Sequence, residues 1–180
     1  MKLLIASDIH GSAYYCDKLI DAYNKENPDK LVILGDILYH GPRNDLPKDY
    51  APKKVIPALN ALKDKIICVR GNCDAEVDQM VLEFPIMADY QDIFVDGIRL
   101  FLTHGHVFNE NKFPPVNNGD IVIHGHTHVP RCDEINGVMF LNPGSTSIPK
   151  ENSLHGYMVY ENKTFVWKGF EEGEYKKYSF

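Results

Sequence analysis

Seven side chains of the metal-ligand type fall in short words along the chain. They are Asp8 and His10 in Asp8-Ile9-His10, Asp36 after Gly35, Asn72 after Gly71, His104, and His126 and His128 in Gly125-His126-Thr127-His128. Each word follows or ends a short apolar run. Carboxylate and amide oxygens mixed with imidazoles suit Mn²⁺, Fe, Zn²⁺, Co²⁺ or Ni²⁺, and seven donors exceed what one tetrahedral structural zinc requires. Two ions about 3.5–4 Å apart can share a carboxylate and a hydroxide, lower the pKa of water from about 15.7 toward 7, and steady phosphoryl oxygens during in-line displacement. The donor set thus has the composition of a two-metal phosphoryl-transfer site. Two divalent ions, two carboxylates and one hydroxide leave a single formal positive charge, which a phosphodiester monoanion neutralises and a monoester dianion exceeds.

The elements that must position these donors are legible as short apolar runs. Leu3-Leu4-Ile5-Ala6, Leu31-Val32-Ile33-Leu34 and Ile66-Ile67-Cys68-Val69 read as strands buried on both faces. In open α/β sheets ligands collect at the carboxyl ends of strands, where Asp8, Asp36 and Asn72 lie. Residues i and i+2 of a strand share a face, so Asp8 and His10 converge if strand geometry persists past Ser7; His126 and His128 converge by the same rule. Ser12 is a helix N-cap, with Cys16, Leu19, Ile20 and Tyr23 on one helical face and Pro28-Asp29 ending the helix. Residues 38–52 read as a long loop of the functional kind. A helix spans about Pro52 to Leu62, and a short one Glu76 to Leu82.

The second half is rich in hairpins. Asp96-Gly97 is a type I′ turn between Ile93-Phe94-Val95 and Ile98 to Leu102. Ile121-Val122-Ile123 is a buried strand, Asn136-Gly137 a second hairpin turn, and Glu161-Asn162-Lys163 joins Gly156–Tyr160 to Thr164–Lys168. Helices alternating with strands, then hairpins, imply an α/β fold: a four-layer α-β-β-α sandwich of two mixed β-sheets flanked by helices, with residues 1–180 as one domain.

The 180 residues suit one domain with a sizeable core, and 44% hydrophobic residues suit a globular chain. A net charge of -6 without a Lys/Arg cluster argues against long nucleic acid as a partner. No apolar stretch approaches the roughly 18 residues of a membrane span, and the apolar start is too short for a signal sequence. Cys16, Cys68, Cys73 and Cys132 form no CxxC pair; reduced thiols in a cytoplasmic protein are expected. A homo-oligomer is compatible with the sequence.

Ser7-Asp8-Ile9-His10, Leu34-Gly35-Asp36, Arg70-Gly71-Asn72-Cys73-Asp74, Thr103-His104-Gly105-His106 and Gly125-His126-Thr127-His128 together resemble the signature blocks of the calcineurin-like metallophosphoesterase superfamily. With Asn142-Pro143-Gly144-Ser145 added, the chain is most similar to its small YfcE-type phosphodiesterase branch. The resemblance covers nearly the whole chain. It implies that Asp8, His10 and His128 hold one metal, that Asn72, His104 and His126 hold the other, and that Asp36 bridges them. It also implies metal-dependent hydrolysis of a small phosphodiester, with manganese as the first expectation. Where the wider superfamily has His after the Asn, this chain has Cys73, followed by Asp74. These two are the catalytic candidates. A thiol, with an unperturbed pKa of about 8.5, is a weak donor without positive charge, so diesters with good leaving groups are favoured over monoesters.

Arg43, in the loop after Asp36, and Cys73 are the substrate-binding candidates; an arginine there can grip phosphate oxygens bidentately, or else pair with Asp45 or Asp49. His106 is expected to support the site, His124 to pack below it, and His155 to lie at the surface. Asn142-Pro143-Gly144-Ser145 is expected to buttress the histidine loop. Two rival functions use the same fold: a phosphomonoesterase or 2′,3′-cyclic nucleotide hydrolase, and a non-catalytic protein-binding scaffold like the retromer subunit of this fold, whose metal site is eroded.

Overall fold

Leu3, Leu4, Ile5 and Ala6 have no solvent exposure, as an apolar run without alternation requires of a strand covered on both faces. The computed structural model describes residues 1–180 and places this run, β1 (Leu3–Ala6), inside a six-stranded sheet. Helix α1 (Ala13–Glu26) starts where expected: the Ser12 side chain accepts from the Tyr15 N–H at 3.2 Å. It ends at Asn27, in the left-handed conformation. β2 (Lys30–Ile33), α2 (Pro52–Asn60), a 3₁₀ turn (Lys63–Lys65), β3 (Ile66–Cys68) and α3 (Glu76–Gln79) follow. Both later helices stop short of their expected ends.

The second half contains β4 (Tyr90–Val95), β5 (Ile98–Thr103), β6 (Ile121–Ile123), β7 (Arg131–Ile135), β8 (Val138–Asn142), β9 (Gly156–Glu161), β10 (Thr164–Gly169) and β11 (Gly173–Ser179). All three expected hairpins form. Asp96-Gly97 and Asn136-Gly137 turn with both residues at positive φ, the type I′ geometry. β11 has no counterpart among the strands expected from the sequence. Its Gly-Glu-Tyr-Lys-Lys-Tyr-Ser has little apolar alternation because it is an edge strand, where charges discourage pairing with another chain.

The sheets run β11-β10-β9-β1-β2-β3 and β4-β5-β6-β8-β7. β1, β2 and β3 are parallel, as are β5, β6 and β8, and the other pairs are antiparallel. Leu3, Ile5, Val32, Leu100, Leu102 and Trp167 belong to the core shared by the two sheets. A second core joins Leu4, Ala6, Leu31 and Ile33 to Cys16 and Leu19 of α1 and Val55 and Leu59 of α2. The α-β-β order is therefore as expected. No helix follows α3, and the fourth layer is irregular chain: Phe108 and Val116 pack against Phe101, Val122, Val138 and Phe140 of the second sheet. No helix is long and apolar enough to cross a membrane.

Trp167 ties this core to the loops above it. It is fully buried, and its indole N–H donates to the Asn142 carbonyl at 2.7 Å. Trp167→Ala is expected to lower the unfolding free energy by about 3–5 kcal/mol, read from the midpoint shift in urea denaturation.

Candidate metal centre

The parallel strands of both sheets deliver the seven donors to one edge. β1 leads to Asp8 and His10, β2 to Asp36, β3 to Asn72, β5 to His104, and β6 to His126 and His128. Asp8 meets His10, but not by strand alternation, while His126 lies against His104 and His128 against His10. β1 ends at Ala6 and β6 at Ile123. Asp8, His10, Asp36, His126 and His128 all take positive φ, from 49° to 69°, a conformation open to Asp and His but uncommon for residues other than Gly. Sharp turns after β1, β2 and β6, rather than continued strands, position these five side chains.

Asp8, Asp36, His10, His104 and His128 are buried. Their hydrogen bonds set the protonation pattern of three imidazoles. His10 Nδ1 lies 2.7 Å from the Tyr39 carbonyl oxygen, His104 Nδ1 2.6 Å from that of Leu34, and His128 Nδ1 2.8 Å from that of Ile148. A carbonyl only accepts, so each Nδ1–H donates, and each Nε2 is left to face the site. His128 Nε2 is 3.3 Å from Asp8 Oδ1, and His104 Nε2 is 3.4 Å from Asp36 Oδ2. His10 Nε2 is 3.7 Å from Asp8 Oδ1 and 3.6 Å from Asp36 Oδ2. Asp36 Oδ2 thus faces both the His10 and the His104 imidazoles.

These residues fit divalent ions. Asp8 Oδ1 is buried and accepts no hydrogen bond, and His10 Nε2 and His128 Nε2 stand only 3.3 Å apart. Two nitrogen lone pairs approach that closely only around a shared proton or a cation. Donor atoms of Asp8, His10 and His128 lie within 4.8 Å of one another, as do those of Asp8, Asp36 and His104. Asn72 Oδ1 is 3.1 Å from His104 Nε2, and the His126 ring centre is 5.1 Å from that of His104. Burial alone would push the Asp8 carboxyl up, but the His10 and His128 imidazoles hold it well below the usual carboxylate range. Against burial, Asp36 and Asp8 push His104 up to about 9. Burial and the neighbouring His104 push His126 down to about 4.

Loops behind the donors lock them in place. The Asp74 carboxylate accepts from the backbone N–H groups of Asp36, Ile37 and Gly71 at 2.7–2.9 Å, which pins the loop after β2 to the loop after β3. A Cβ at Gly71 would collide with the Asp36 carboxylate. Asn142 donates to the Gly125 carbonyl and to Thr127 Oγ1, while Ser145 and Ser147 donate to the Asp8 carbonyl. The Asn142-Pro143-Gly144-Ser145 block therefore braces both the histidine loop and Asp8.

A cavity of about 430 Å³ opens over these residues, lined by Asp36, Asn72, His126 and His128 together with Arg43 and Cys73. The two catalytic candidates part company here. Cys73 lines the cavity, its thiol pushed up to about 12 by burial and by Asp36. Asp74 is buried behind the cavity, with both oxygens committed to backbone N–H groups. Arg43 pairs with neither Asp45 nor Asp49; Asp49 pairs with Lys54 at 3.3 Å.

His106 sits beside the site, its ring centre 5.4 Å from that of His104. His124 is buried, with Nδ1 3.1 Å from the Gly125 carbonyl oxygen. His155 is not a free surface residue: it is half-buried and stacked on Tyr15, with ring centres 4.0 Å apart. Thr127 and Lys150 also line the cavity, although neither stands out in the sequence as a functional residue. The signal for Lys150 was its place on the loop that starts at Asn142.

Residues 1–164 match the family profile described as the calcineurin-like phosphoesterase superfamily domain. The chain is 48% identical over 162 residues to phosphodiesterase YfcE of Escherichia coli strain K12, covering 90% of this chain and 88% of that one. The solved structure of YfcE, a phosphoesterase from E. coli, superposes with a TM-score of 0.96 at 43% identity and covers 99% of both chains. Phosphodiesterase MJ0936 of Methanocaldococcus jannaschii is 29% identical over 152 residues, 80% of this chain and 83% of that one. Vps29 of Chaetomium thermophilum has a TM-score of 0.65 at 15% identity, covering 100% of this chain and 98% of that one, a likeness of fold alone.

Donors gathered only in the folded chain make metal binding a stabilising force. A divalent ion at about a hundred times its Kd is expected to stabilise the metal-stripped protein by about 2.7 kcal/mol, seen as a rise in the thermal midpoint. Asp36→Asn should shrink that rise.

Proposed function

The chain belongs to the calcineurin-like phosphoesterase superfamily, and from that premise we propose that it is a metal-dependent phosphodiesterase of small diesters, with residues 1–180 acting as one domain. In this reading Asp8, His10 and His128 hold one divalent ion, Asn72, His104 and His126 the other, and Asp36 reaches both, with manganese the favoured metal. A bound pair supplies a water of lowered pKa and positive charge opposite the phosphoryl oxygens. The observation that carries the reading is the triple commitment of Nδ1–H to carbonyls, which turns the Nε2 atoms of His10, His104 and His128 onto two buried carboxylates.

The chain's own groups complete the reaction. The Arg43 guanidinium, free of a carboxylate partner, grips a non-bridging phosphate oxygen. Asp74 acts through the backbone, holding Asp36 at its turn. The Cys73 thiol meets the substrate as a neutral group, so nothing at that position attracts the second charge of a monoester. Four cysteines free of disulfides agree with a reducing, cytoplasmic setting.

Hydrolysis of bis(p-nitrophenyl) phosphate is expected to require added Mn²⁺ and to stop with chelator, and Asp36→Asn should lower kcat by about a hundredfold or more. Turnover that persists in metal-stripped protein would refute the proposal. Cys73→His places an imidazole where the thiol stands, so the kcat/KM ratio of p-nitrophenyl phosphate to bis(p-nitrophenyl) phosphate should rise about tenfold or more. An unchanged ratio would remove Cys73 from substrate selection.

A further inference from the structure

The cavity walls hold two cations with no partner in the protein. This chain has four arginines. Arg70 pairs with Asp89 at 2.9 Å, Arg99 with Asp92 at 2.9 Å and Arg131 with Asp133 at 2.8 Å, whereas Arg43 makes no ion pair. Lys150 is exposed and its ammonium likewise has no carboxylate partner. Its backbone, by contrast, is anchored to the site. The Lys150 N–H donates to the His128 carbonyl at 3.1 Å, and Ser153 Oγ lies 2.6 Å from the Lys150 carbonyl oxygen and 3.3 Å from that of His128. A flexible cation is thus mounted on a rigid base beside a proposed metal ligand.

The two cations come from different loops. Arg43 follows β2 and Lys150 follows β8, and both line the same cavity. The lining contains no phenyl, phenol or indole ring and no Leu, Ile, Val or Met. Ligand pockets of this size are usually walled by apolar and aromatic side chains, and bases are held by stacking on aromatic rings. Apart from two imidazoles already assigned to the metal site and the Arg43 guanidinium, this cavity offers a base nothing to stack on, and it offers anions two unpaired cations.

We infer that the preferred substrate is a phosphodiester with a second anionic group, a phosphoryl or carboxylate on the alcohol that stays with phosphorus, and that Lys150 receives this group while Arg43 serves the scissile phosphate. Hydrolysis adds one water across one P–O ester bond, releases the other alcohol, and leaves a phosphomonoester whose second anion is unchanged. The inference rests on the phosphodiesterase reading and narrows it to a substrate class, with Lys150 as the residue that sets specificity.

The test uses the full chain with Mn²⁺ and p-nitrophenyl diesters that share one leaving group. The retained alcohol carries 2-carboxyethyl, 2-phosphonoethyl or the neutral 2-carbamoylethyl group. The ratio of kcat/KM for an anionic ester to that for the neutral one is expected to exceed about ten. It should fall toward one in Lys150→Gln, survive in Lys150→Arg and invert in Lys150→Glu, and the two anionic arms decide between carboxylate and phosphoryl. A wild-type ratio near one, or a ratio untouched by Lys150→Gln, overturns the inference while leaving the hydrolase reading in place. Absence of turnover on all three esters sinks both.

Discussion

Two carboxylates buried among imidazoles set the demand that the rest of this molecule answers. Removing a charge from water is costly unless it is paired. Asp8 is fully buried, with one oxygen lacking any hydrogen bond, and Asp36 lies close by with His10 between them. Protons on the histidines or divalent cations can meet that demand. The carbonyls of Tyr39, Leu34 and Ile148 suit either solution, because each commits an Nδ1–H and points the remaining nitrogen toward the carboxylates.

Meeting the demand shapes the backbone. Five donor residues occupy the left-handed region, at a cost on the order of 1 kcal/mol or more for each non-glycine residue. Such turns persist only where neighbouring structure over-determines them. Here Asp74 gathers three backbone N–H groups, Ser145 and Ser147 grip the Asp8 carbonyl, and Asn142 holds the histidine loop while its own carbonyl is held by Trp167. The bracing reaches from the site to the core between the sheets, so the packing of an indole far from any phosphate bears on the geometry of Asp8.

Elements under strong local constraint were the most readable in the sequence. The apolar runs at Leu3 and Ile121, the Ser12 cap and the Asp-Gly and Asn-Gly turns each have one dominant physical solution, and each formed. The donor words were legible for a similar reason: few other arrangements explain so many imidazoles and carboxylates at strand ends. How they converge was not legible, because alternation along a strand and a left-handed turn both bring Asp8 near His10, and only backbone angles separate them. Strand β11 escaped because edge strands trade apolar alternation for charge. The irregular cover over Phe101 and Phe140 has no periodicity to read. Lys150 looked like any solvated lysine, since its significance comes from a hydrogen bond to a residue 22 positions earlier.

The division of labour within the site follows from this difference in rigidity. The buried carboxylates sit on over-determined turns, because a group such as Asp36, which faces both His10 and His104, tolerates little displacement. Arg43 and Lys150 sit on the outer walls with exposed side chains and can follow anions of different size. A chain built this way can change the esters it selects by altering exposed residues of two loops, at little risk to the fold, since neither side chain contributes to a buried core. It can hardly alter the donors, whose backbone strain is offset only when the loops behind them, and the charges among them, are all in place.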